Sequence, residues 1–77
     1  MNRDRRKRLQ EVYDALEEQL TALEEIRDEE QESYDNYPES LQESERGQTL
    51  YENVDSLDSA YNDLESLMES IQEVLER

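Results

Sequence analysis

Residues 50–75 read LYENVDSLDSAYNDLESLMESIQEVL. Leu50, Val54, Leu57, Tyr61, Leu64, Met68, Ile71 and Leu75 follow one another in alternating steps of four and three. That spacing keeps every one of them on a single stripe of an α-helix and is the mark of a coiled-coil seam. A second row, Ala60, Leu67 and Val74, repeats every seven residues beside it and widens the apolar face. No Gly or Pro interrupts residues 48–77.

The first half repeats the pattern less cleanly. Leu9, Leu16 and Leu23 share one heptad row, Val12 and Ile26 another with Gln19 between them, and Tyr13 and Leu20 a third. Ala15 and Ala22 add helix propensity. After Ile26 the apolar pattern fades into Arg27-Asp28-Glu29-Glu30-Gln31-Glu32, which favours helix but has little to bury.

Between the halves lies the only Pro, in Asn36-Tyr37-Pro38-Glu39-Ser40. Proline disfavours helix in the residue before it. Ser44, followed by Glu45, is an N-cap with an acid in the favoured first turn, and Ser40-Leu41-Gln42-Glu43 offers a competing start. The chain therefore reads as all-α: helix 1 over about 3–35, a connection over about 36–43 and helix 2 over about 44–76. A short connection makes the helices antiparallel. Facing residues should have numbers adding to about 80–84, with Tyr34, Tyr37, Tyr51, Leu41 and Leu50 converging at the loop. Gly47 falls in an early turn of helix 2, where it should cost under about 1 kcal/mol relative to Ala. The apolar face of helix 2 is wider than one helix can cover. A homodimer, most simply a four-helix bundle, would bury the remainder.

Seventy-seven residues allow one small domain, of which 40% of residues are charged and 32% apolar. The charge is unevenly placed. The first eight positions hold Arg3, Arg5, Arg6, Lys7 and Arg8 against Asp4, a net +4, while residues 9–77 hold 22 acids against three Arg, a net −19. Antiparallel packing puts the basic end beside Glu69, Glu73 and Glu76, which it is expected to neutralise. The basic end could instead touch nucleic acid, although the acidic body would repel the same duplex, so direct nucleic-acid binding is disfavoured. No apolar run reaches the ~18–20 residues of a membrane span, and no apolar stretch follows the basic start as in a signal peptide. A soluble, cytoplasmic protein that binds no membrane is the expectation.

The chain has no His and no Cys. The usual nucleophile–base pairs and disulfide staples are therefore ruled out, as are histidine-rich di-iron sites. No calcium-binding loop with a central Gly is present. The expectation is a non-enzyme without cofactor or metal. The acidic surface is the remaining signal. Twenty-two acids on a rod of about 45 Å give one charge per about 2 Å, against about 1.7 Å for duplex DNA. Glu17, Glu24, Asp28, Glu52, Asp55 and Asp63 are assigned to an acidic partner-binding face. Tyr34, Tyr37 and Tyr51 are assigned to an aromatic contact patch at the loop, with Arg46 beside it.

Residues 28–47, from Asp28-Glu29-Glu30 through Tyr34-Asp35-Asn36-Tyr37-Pro38-Glu39-Ser40-Leu41-Gln42 to Arg46-Gly47, resemble a pattern in small acidic proteins of phages and prophages of Gram-positive bacteria. The resemblance implies a helical hairpin of mobile-element origin. Small acidic phage proteins include inhibitors of host nucleases and defence systems, some of them nucleic-acid mimics. Two roles are thus expected. The first is an acidic interaction protein that binds a basic protein surface, as a DNA mimic or anti-defence inhibitor would. The second is a coiled-coil assembly adaptor whose apolar stripe is the binding surface.

Overall fold

The computed structural model describes all 77 residues. Helix α1 spans Arg3–Asp35 and helix α2 spans Glu45–Leu75, joined through a single 3₁₀ turn at Glu39–Leu41. The helices pack along their whole length as an antiparallel hairpin measuring 58 × 15 × 14 Å. No strand is present, and no helix is long and apolar enough to cross a membrane.

Each helix end is closed by its own sequence. Asn2 caps α1, its side-chain oxygen accepting from the Arg5 N–H at 2.8 Å. Ser44 caps α2, its Oγ accepting from the Gly47 N–H at 3.2 Å. The competing start at Ser40 is not used, because residues 39–41 form the 3₁₀ turn. Gln42 ties the reversal down. Its Nε2 donates to the Tyr34 and Tyr37 carbonyls at 3.3 and 3.2 Å, adding a second bond to Tyr34, which already takes the Tyr37 N–H, and a partner for Tyr37 just past the helix end.

All eight residues of the α2 seam are at least partly covered, and Met68 is the most deeply buried. Apart from Ala22, the partly covered residues of α1 are Arg6, Leu9, Tyr13, Leu16, Leu20, Leu23, Arg27, Glu30 and Tyr34, with Tyr37 following just past the helix end. These too alternate in steps of four and three. The seam of α1 does not fade after Ile26; it continues through Arg27 and Glu30, two charged residues. Val12 and Ile26 lie off it, about half exposed at 47% and 52%. Tyr13 meets Gln72, Glu24 meets Tyr61, Arg27 meets Asp58 and Tyr34 meets Tyr51. The numbers in these pairs add to 85, whereas Glu30–Asn53 and Arg6–Leu75 add to 83 and 81, so the register lies at the upper end of the expected range and the chain reverses around Gln42.

Two local expectations are overturned. Gly47 is no tolerated defect. A Cβ there would lie 2.6 Å from the Gln42 carbonyl carbon and 2.7 Å from the Leu41 oxygen, so the backbone of the turn occupies the space of a side chain. The basic first turns of α1 do not neutralise Glu69, Glu73 and Glu76 either. The three ion pairs of the chain are Arg8–Asp4, Arg27–Asp28 and Arg27–Asp58. Arg6 instead donates to the main-chain carbonyl of Leu75. The last turn of α2 has no basic residue of its own. Arg6 therefore supplies, from the other helix, the positive charge that the carbonyl end of a helix dipole favours.

Candidate functional site: an acidic flank

An antiparallel pair places equivalent heptad rows of the two helices on the same side of the seam. The residues that follow Leu9, Leu16 and Leu23 in α1, and Leu50, Leu57, Leu64 and Ile71 in α2, therefore share one flank. The contacts Tyr13–Gln72, Glu24–Tyr61 and Arg27–Asp58 bridge the helices there. With the row next to it, this flank carries ten acids: Asp14, Glu17, Glu24, Asp28 and Asp35 from α1, and Asp55, Asp58, Glu65, Glu69 and Glu76 from α2. The opposite flank carries the rows Val12–Gln19–Ile26 and Ala60–Leu67–Val74, and only Glu29 and Asp63 as acids. The hairpin is therefore two-sided, with carboxylates on one side and methyl groups on the other.

Of the residues assigned from sequence to an acidic face, Glu17, Glu24, Asp28 and Asp55 are brought together on the acidic flank. Glu52 lies on the outer surface of α2. Asp63 falls on the apolar flank, because a helix advances 100° per residue and Asp63 is one step from Leu64 in the wrong direction. The tyrosines divide as well. Tyr34 and Tyr51 stack tilted, with ring centres 5.8 Å apart and planes at 58°. Tyr37 lies on the other side of the seam, in a groove with Pro38, Arg46 and Leu50.

On the acidic flank, Tyr34 and Tyr51 wall a groove of about 370 Å³ that also takes in Arg27, Val54, Asp55 and Asp58. Tyr51 is 60% exposed, so an aromatic edge stands free beside the carboxylates. Arg27 organises the floor. Its guanidinium lies 3.1 Å from Asp58 and 3.3 Å from Asp28, and 4.8 Å from the centre of the Tyr61 ring. Partial loss of solvent lowers its pKa. The hydrogen bond to Asp28, with the fields of Asp28, Asp58 and Glu24, outweighs this and leaves it above its usual value. Tyr61 donates to Glu24 at 3.1 Å. That bond, then desolvation and the fields of Glu24 and Glu65, hold the phenol above its usual range against the opposing pull of Arg27.

Sequence reasoning missed Arg27 and Glu30 as seam residues. The signal was the unbroken four-and-three stepping from Leu9 to Tyr37, which can be read without regard to polarity. Glu30 accepts from the Asn53 side chain at 2.9 Å, so it is satisfied where it stands. No group of three or more carboxylates converges as a metal site would. The flank offers spread negative charge with an exposed aromatic edge, which suits guanidinium and ammonium groups.

The rod is longer than two straight helices of the expected length, which dilutes its charge. Its 23 carboxylates over 58 Å give one per about 2.5 Å, against about 1.7 Å for duplex DNA. No protein-family model matches this chain, and no curated protein sequence and no solved structure is significantly similar to it.

Proposed function

We propose that this protein is a non-enzymatic interaction protein whose acidic flank binds a basic surface on another protein. The observation that carries the reading is the segregation of ten acids onto one flank, where Arg27 is the only ion-paired base, to Asp28 and Asp58, and the other bases, Arg3 and Lys7, sit at its far end. The groove at Tyr34 and Tyr51 gives a partner's arginine an aromatic face beside Asp55. In its sharpest form the reading is a phage-encoded inhibitor, acting in the cytoplasm of a host bacterium, that occupies the nucleic-acid groove of a defence or DNA-processing protein. Its carboxylate spacing, within a factor of two of the phosphate spacing of duplex DNA, supports that form.

The experiment is a pull-down from bacterial lysate at low and high salt, with the wild type and a variant carrying Glu17→Gln, Glu24→Gln, Asp28→Asn and Asp55→Asn. The expected result is capture of a basic nucleic-acid-binding protein that is lost in high salt and in the variant, with helicity unchanged. Enrichment of no basic protein would refute the reading.

One observation favours a second reading, a coiled-coil adaptor. Val12, Ile26 and Leu67 leave an apolar strip about half exposed. Partner capture that survives the four neutralising substitutions would select it.

A further inference from the structure

We propose that the apolar flank is a homodimer interface in which two hairpins pack antiparallel about a two-fold axis that lies in the interface, across the rods, at the level of Gln19 and Leu67. Three observations point to a second copy of this chain as the occupant.

The first is charge. A chain of net charge −15 repels its own copies on nearly every face. The flank bearing Val12, Ile26 and Leu67 has two acids where the opposite flank has ten, so it is the one long face that a like-charged rod can approach.

The second is area. The chain exposes 5992 Å², whereas a compact protein of its 9.2 kDa would expose about 4,900 Å². The excess of about 1,000 Å² is close to the ~800 Å² that each partner buries in a standard interface.

The third is register. Gln19 and Leu67 stand at nearly the same height on the rod, between the Tyr13–Gln72 and Glu24–Tyr61 contacts. A two-fold axis at that level maps each apolar row onto itself. Val12 then faces Ile26 of the second copy, Ala60 faces Val74 of the second copy, and Leu67 meets its own equivalent. The two Gln19 amides meet at the centre, where a polar pair fixes the alignment. The same operation sets the basic end of one hairpin against the acidic loop end of the other. Arg5, which has no ion-pair partner within its own chain, then lies near Glu29 of the second copy. The alternative two-fold, parallel to the rods, would set basic end on basic end and is rejected on charge. Each acidic flank is left facing outward.

The test combines mass and crosslinking on the full chain. Light scattering should give twice the 9.2 kDa chain mass, and Leu67→Glu should reduce it to one chain with far-UV circular dichroism preserved, since Leu67 is 51% exposed. The chain has no cysteine, so single substitutions report geometry cleanly. Under mild oxidation Leu67→Cys should form a disulfide dimer. A mixture of Val12→Cys and Ile26→Cys chains should give the mixed disulfide in preference to either self-disulfide. A one-chain mass up to millimolar concentration overturns the proposal, as does a dimer indifferent to Leu67→Glu. Preferred self-crosslinking of Val12→Cys overturns the antiparallel register.

Discussion

The guanidinium of Arg27 lies 4.8 Å from the centre of the Tyr61 ring, at a seam position that follows five in a row, Leu9 to Leu23, carrying only Leu and Tyr. The side chain is only 22% exposed. Its stem fills the seam while its head turns out to Asp58 and Asp28. A charged group at such a position fixes how two helices align, because any slip strands it against apolar residues.

Arg27→Glu should therefore lower the melting temperature more than Arg27→Ala, since it sets a carboxylate among Glu24, Asp28 and Asp58. Arg27→Leu should leave the melting temperature equal or higher while removing the penalty against slipped registers. Thermal melts followed by circular dichroism rank the three. A melting temperature for Arg27→Glu at or above that of Arg27→Ala would show that the guanidinium plays no part in alignment.

Tyr61 gives a pH dependence with a definite sign. Its phenol is held above the ordinary value of about 10, so the folded state keeps the proton more tightly than the unfolded chain. The resulting stability is fully present below about pH 10 and is lost as pH rises through the folded-state value. As pH is raised past about 10, the wild type should lose stability more steeply than Tyr61→Phe. Parallel curves would remove the Glu24 bond from the account.

Gly47→Ala should destabilise, although helix propensity alone favours Ala by up to about 1 kcal/mol. The added methyl would collide with the backbone at Gln42 and Leu41, and overpacking of this kind costs about 1–3 kcal/mol. Urea titration decides the sign. A stabilised variant would mean that the turn relaxes freely.

Met68→Ala removes the one large side chain that is nearly fully buried, at 5% exposure. Such truncations cost about 2–5 kcal/mol. A chain of this length holds only about 4–12 kcal/mol in total, so much of the helical signal should be lost at room temperature. Loss of less than about 1 kcal/mol would mean the seam collapses around the gap.

Salt should stabilise the hairpin. Only Asp4, Asp28 and Asp58 among 23 acids have ion pairs, and the basic first turns form none with α2. Between about 0.01 and 1 M NaCl the screening length falls from about 30 to 3 Å. The melting temperature should rise by about 5 °C or more, equivalent to about 1 kcal/mol. Indifference to salt would show the repulsion to be already relieved.

The hairpin itself was legible in the chain because its determinants are local. The step pattern from Leu50 to Leu75 needs only the helical period. Ser44 caps within three residues, and Pro38 blocks helix through its own ring. The two-sidedness was also latent in the rows beside each seam, but it emerges only when the antiparallel pairing is fixed. The opposite facing of Asp63 and Asp55 follows from their steps beside Leu64 and Val54, but only the packed pair shows that Tyr37 parts from Tyr34 and Tyr51. Arg27 and Glu30 sit on a periodicity that is present in the chain but hidden by their polarity, which their partners Asp58, Tyr61 and Asn53 make tolerable. Gly47 is the sharpest instance. Its propensity is a property of one residue, whereas the need for a missing side chain comes from the Leu41–Gln42 backbone folding back over it. Short-range periodicity and capping determined the elements; the approach of segments distant in sequence decided which side chains share a surface.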